Sequence, residues 1–246
     1  MKKAFFYVSG IIILSIFFSC KKEQIAETNN LSNDEAAEIA AASLSSGNGG
    51  SSSQLEDAAK YSETIINDTL SEKTSETYDT TFTVSKDTGR TTFNYSFHYQ
   101  YGMQYNASTH RFEYFMNYDT EGKFESLHLY SEDNSNGELV LTGLEQNQDY
   151  YLINGNVTRT GNQTVKKQDK KSVSATVILT FNNIKIRKSD YLLTEGSGEL
   201  TIKGKTSEGA EFSFTGTVVY KGDGTVNLVI NGQEYSIELA SGEIKS

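Results

Sequence analysis

The chain predicts an all-β fold: an antiparallel meander of about ten strands, curled, and preceded by two short helices. Three observations carry this. Apolar residues recur with a period of two from about residue 80 onward. Turn dipeptides such as Asn231-Gly232 punctuate that pattern. Proline and tryptophan are absent while Tyr numbers 15 and Phe 13, a composition suited to strands joined by tight turns.

The elements follow in order. Residues 1–19 carry Lys2 and Lys3, an apolar run over 8–18 and the small residue Ser19, the three-part build of a secretory signal. The run is shorter than the roughly 20 apolar residues that a bilayer-spanning helix needs, which argues against a retained transmembrane anchor. Residues 21–30 are polar and unpatterned and read as a tether, which with Cys20 spans 20–30. A helical segment is expected over 31–76. Its first helix opens on Ser32 with Glu35 three residues later, a capping box. A Gly/Ser hinge over 45–52 follows. A second helix, capped by Ser53 with Glu56, aligns Leu55, Ala58, Ala59, Ser62, Ile65 and Ile66 on one face. That stripe needs a surface to cover, because so short a helix is unstable alone in water.

The β domain is expected over 77–246. Its clearest strand places Phe93, Tyr95, Phe97, Tyr99 and Tyr101 on one face, and Phe112, Tyr114, Met116 and Tyr118 repeat the pattern after a turn at 106–109. Further strands are expected over 125–130, 138–144, 150–159, 173–186, 199–205, 211–220, 225–230 and 234–239. Turns are expected at Thr120-Glu121-Gly122, Asn136-Gly137, Glu208-Gly209, Gly222-Asp223-Gly224 and Asn231-Gly232. The apolar phase slips at Asn182-Asn183, which predicts a β-bulge. So many strands should close into a barrel or half-barrel, or fold over as a sandwich.

The segment Phe17-Phe18-Ser19-Cys20 resembles the lipobox of bacterial lipoproteins, in its Phe-rich form that of Bacteroidota-type lipoproteins; Cys20 is the only cysteine in the chain. The resemblance implies cleavage between Ser19 and Cys20, and acyl chains on Cys20 that hold the chain on a membrane. Lys21 and Lys22 occupy the positions where lipoproteins kept in the inner membrane of enterobacteria carry Asp, which points to the outer membrane. Only Glu23 is acidic among the four residues after Cys20, unlike the acidic surface-export signal of such lipoproteins, which favours a periplasm-facing domain over display on the cell surface. Asp68-Thr69-Leu70 and Asp79-Thr80-Thr81 resemble the acceptor motif for O-glycosylation in exported Bacteroidota-type proteins, which makes Thr69 and Thr80 candidate glycan acceptors.

A lone cysteine provides no disulfide despite an oxidising destination. Removing the two lysines of the signal leaves 20 basic against 32 acidic residues, so nucleic acid is an unsuitable partner. His98, His110 and His128 match no metal signature, and His98 is expected opposite a residue near Phe115 in the first hairpin. Asp133, Ser135, Asn136, Gly137 and Glu138 carry the oxygens of a calcium loop but fall one residue short of its pattern, and read as a hairpin turn. Lys166, Lys167, Lys170 and Lys171 form the one basic run, expected at a solvated hairpin tip. No nucleophile elbow, zinc-protease helix or phosphate loop occurs, so neither catalytic residues nor a metal or cofactor site is assigned. These features imply a non-catalytic binding or structural module of the cell envelope. Its partners are a membrane through the lipid anchor and an envelope protein, lipid or glycan. A half-barrel carrier of lipid or lipoprotein acyl chains is the alternative, and a polysaccharide-directed enzyme or binding protein the third reading.

Overall fold

The computed structural model describes residues 31–69, 76–166 and 170–245. Helix α1 (Asn33–Leu44), a 3₁₀ turn (Ser46–Asn48) and α2 (Ser51–Thr69) precede the strands. These are β1 (Thr77–Asp87), β2 (Thr92–Asn106), β3 (Arg111–Glu125), β4 (Leu129–Thr142), β5 (Tyr150–Val165), β6 (Lys171–Arg187), β7 (Leu193–Thr206), β8 (Glu211–Tyr220), β9 (Thr225–Ile230), β10 (Gln233–Glu238) and β11 (Ile244–Lys245). They form one sheet in sequence order, every pair antiparallel. The fold is all-β as expected and the sheet is open: among the described residues β1 and β11 do not pair, so of the expected curled sheet, barrel or half-barrel the closed barrel is the form not taken.

The curl follows from which strands α1 touches. It packs against β4 and β5 and also against β9 and β10. In a flat sheet β5 and β10 would stand roughly 24 Å apart, at about 4.8 Å per strand. A helix about 10–12 Å wide reaches both only if the sheet wraps around it. Glycines on the inner face permit the bend. One cross-strand row runs Tyr95, Gly122, Asp133, Gly161, Ala175, Gly204, Phe212. A Cβ on Gly122 would stand 2.5 Å from Tyr95 Cγ, and one on Gly137 2.3 Å from the Tyr118 ring. Only glycine lets these rings lie flat across the neighbouring strand. Thr120-Glu121-Gly122 and Asn136-Gly137 are therefore mid-strand in β3 and β4, where turns were expected.

The other turn signals hold. Asn231 and Gly232 take φ of 49° and 83°, as a type I′ hairpin requires. The β6 register shifts beside Asn182, at the expected bulge.

Helix α1 begins as expected, with Ser32 Oγ accepting from the Glu35 amide at 3.2 Å and Glu35 accepting from the Ser32 amide at 2.7 Å. Its alanines are buried on every side, which is how a helix fits inside a curl. The expected hinge is instead a packed corner. Ser46 N–H donates to Leu239 O at 2.8 Å, Asn48 Nδ2 donates to Ser241 O at 3.2 Å, and a Cβ on Gly47 would strike Ala240 O at 2.0 Å. Helix α2 starts at Ser51, two residues before the expected cap; Ser53 Oγ donates to Gly50 O from within the first turn. Its stripe is buried as expected, with Ile66 at the margin. Helices and strands share one core, so the helical segment is the filling of the β domain and not a unit beside it.

Candidate functional site

The sheet has two ends. At one, the chain enters α1: Glu35 pairs with Lys171 at the start of β6, at 3.1 Å. The other end is reached along β6, 17 residues or roughly 55 Å of extended strand, at Arg187. There α2 finishes and the inner face opens into a mouth lined with aromatic rings.

Each ring at this mouth is placed by the alternation of its strand. Tyr101 of β2 packs on Tyr61 of α2 with centroids 4.8 Å apart and stacks on Tyr78 of β1 at 5.6 Å. Deeper in, Tyr99 donates its hydroxyl to Asp57 of α2 at 3.0 Å. Burial raises the Asp57 pKa, against the opposing pull of that hydrogen bond. Tyr191 donates to Glu63, and that bond together with burial pushes its pKa up to about 12. Lys188 Nζ stands 4.7 Å over the Tyr151 ring and donates to Glu145 O at 2.7 Å; burial lowers its pKa. Beyond the helix the β2–β3 hairpin projects past its cover. Tyr105 and Phe112 face each other edge to face at 5.4 Å, 55 % and 46 % exposed. An open groove runs beside Phe112, lined by Arg111, Glu113, Leu144 and Glu145. Phe112 shares the face of the buried Tyr114, Met116 and Tyr118, but among the described residues no helix covers it.

Comparison with family models, with curated proteins and with solved structures finds no match to this chain.

A second cluster lies under α1. Arg159 donates through Nη2 to Asp133 at 2.8 Å and to the Tyr95 hydroxyl at 2.7 Å, and through Nη1 to the Ala42 carbonyl at 2.8 Å. Ser131 Oγ also donates to Asp133, at 2.5 Å. Burial would lower the Arg159 pKa, but the Asp133 carboxylate outweighs it and the pKa is raised. The guanidinium stays charged and holds the last turn of the helix to the sheet. Sequence reading missed this cluster. Its signal was present, since Asp133 and Arg159 occupy inward positions of their strands, where an apolar residue is the rule.

The remaining candidates disperse. Asp133, Ser135 and Gly137 point inward from β4 while Asn134, Asn136 and Glu138 point outward, so they form neither the expected hairpin turn nor a converging set of oxygens. His98 pairs with Asp119, not with a residue near Phe115, and contacts Asp79 at 3.1 Å on the outer face. His110 sits at the hairpin tip with Tyr105, and His128 lies 4.0 Å from Glu38 at the chain-entry end. Among the described residues no group of three His, Cys, Asp or Glu is placed to hold a metal. Lys166 pairs with Glu125 at 2.6 Å, so the basic run is partly neutralised at the sheet rim; Lys167 lies outside the described residues. Thr80 is half-buried on the inner face of β1, and Thr69 is the last residue of α2. Ser19 and Cys20 lie outside the described residues.

Proposed function

We propose that this chain is a lipoprotein of the outer membrane, held by acyl chains on Cys20. Its curled sheet then acts as a non-catalytic binding module of the cell envelope. The observation that supports the binding reading is the placement of the aromatic mouth. Tyr105 and Phe112 are exposed at the end of the sheet opposite the point where the chain enters α1. A tether at one end directs the other end away from the membrane, and exposed aromatic rings are the side chains that protein and glycan partners bury best. The Asp57 and Glu63 carboxylates near the mouth each accept a tyrosine hydroxyl, which suits them to fastening α2 rather than to proton transfer.

A carrier of acyl chains needs a hollow inside the curl, and α1 with its corner fills that space. Three experiments test the proposal. Wild-type protein should partition into detergent while Cys20→Ala does not, because burial of acyl chains contributes about 0.8 kcal/mol per CH₂ and in this reading Cys20 alone carries them. Membrane-bound Cys20→Ala with a cleaved signal would sink the anchor. Organic extraction of soluble Cys20→Ala protein should release no stoichiometric lipid; one lipid per chain would establish the carrier instead. Protease shaving of intact cells should spare the domain if it faces the periplasm.

A further inference from the structure

We propose that strand β1 is a self-association edge, at which a second copy of the chain adds its own β1 antiparallel, with Phe82 opposite Phe82 of the other copy. The inference goes beyond the binding reading above, since the edge lies beside the mouth and needs neither Tyr105 nor Phe112.

The two edges of the sheet differ. The far edge, β11, has two residues. β1 has 11, and among the described residues it pairs on one side only, with β2, in an unbroken register from Thr77↔Gly102 to Asp87↔Thr92. Long free edges are ordinarily blunted by proline, by a bulge or by several lysines. β1 has neither proline nor bulge, and its single lysine is Lys86. Its inner face is also half finished. Among the described residues Thr80 and Phe82 are half-buried against β2 and Val84 is 40 % exposed, although each continues a row that is fully buried one strand further in, at Tyr99, Phe97 and Tyr95. Phe82 already stacks on Phe97 with centroids 5.2 Å apart, and among the described residues its other side has no strand to lie against.

The occupant is argued from self-complementarity. Directly opposed residues of antiparallel strands project to the same side of a sheet, so two copies can pair only about an axis through a residue. The axis through Phe82 is the one that engages all eleven residues. On the inner face it sets Phe82 on Phe82, Thr80 opposite Val84, and Tyr78 opposite Lys86, an aromatic ring beneath a cation. On the outer face Thr81 meets Thr83, Asp79 meets Ser85 and Thr77 meets Asp87. No like charges oppose, which is the condition for cross-strand pairs to stabilise. The result is a two-fold dimer with one continuous sheet of 22 strands, twice the 11 of a single copy.

Sedimentation equilibrium of the full Cys20→Ala chain tests this, up to about 100 µM, where a dimer with Kd ~1 µM is nearly complete. The wild-type edge should give dimers. Thr81→Lys with Thr83→Lys, both exposed in the monomer, places lysines opposite lysines in the pair and should abolish the dimer with an unchanged circular dichroism spectrum. Thr81→Cys with Thr83→Cys should be trapped as a covalent dimer by a short bis-maleimide. A monomer throughout the concentration range overturns the proposal. So does a dimer that survives both lysines, or one whose paired cysteines fail to cross-link.

Discussion

Tyr99 and Tyr105 stand on the same strand and the same face, yet Tyr99 is 0 % exposed and Tyr105 is 55 % exposed. Their partners on β3 repeat the contrast: Tyr118 is in the core and Phe112 is at the surface. What differs is the second layer. α2 lies over Tyr99 and supplies Asp57 to its hydroxyl, whereas the hairpin tip runs on past the end of the helix. Alternation chooses a face of the sheet; it does not say whether anything covers that face. Core and candidate binding site are thus two lengths of one aromatic ribbon, separated by the reach of a helix.

The strongest test of this contrast is Phe97→Ala, under the helices. It should cost about 3–5 kcal/mol, a large part of a domain's marginal stability, read as a lowered denaturation midpoint. An unchanged midpoint would place the covered length at the surface with the tip. Arg159→Ala should cost a comparable 3–5 kcal/mol, because it leaves Asp133 charged, buried and unpaired. Arg159→Met combined with Asp133→Leu should recover most of that loss, since the desolvation of two charges disappears with them. If the double variant is no more stable than Arg159→Ala alone, the pair is not the reason for the loss.

Acid titration sharpens the point at Asp57, whose pKa is raised chiefly by burial. A raised folded pKa favours the proton in the folded state. The stability it brings is full below the ordinary value of 3.8 and is lost as pH rises through the raised one. Asp57→Asn, which keeps an acceptor for Tyr99, should therefore be the more stable chain at neutral pH, with an advantage that shrinks as pH falls. An advantage constant with pH would mean that the Asp57 carboxyl is not buried between α2 and the sheet. Ser32→Ala should cost about 1 kcal/mol by removing the cap of α1. The smallest effect belongs to the tip: Tyr105→Ala and Phe112→Ala should each shift stability by no more than about 0.5 kcal/mol while weakening retention of any envelope partner. A tip substitution as costly as Phe97→Ala would erase the distinction between core and site.

The capping box at Ser32, the Asn231-Gly232 hairpin, the bulge at Asn182 and the inward face of every long aromatic strand were legible from residue order alone. Each rests on contacts within one strand, one turn or one hairpin, so spacing encodes them. Gly122 and Gly137 misled for the opposite reason. A glycine after Asn or Glu carries the same local signal whether it opens a turn or makes room for a ring on the next strand, and only Tyr95 and Tyr118 across the ladder decide which. The packed corner at 45–50, the place of α1 inside the curl, the Arg159–Asp133 pair and the exposure of Tyr105 and Phe112 belong to the tertiary structure in the same way. Each depends on which distant segment lies within a few ångströms, and a one-dimensional pattern records the face a side chain takes but not what, if anything, stands opposite it.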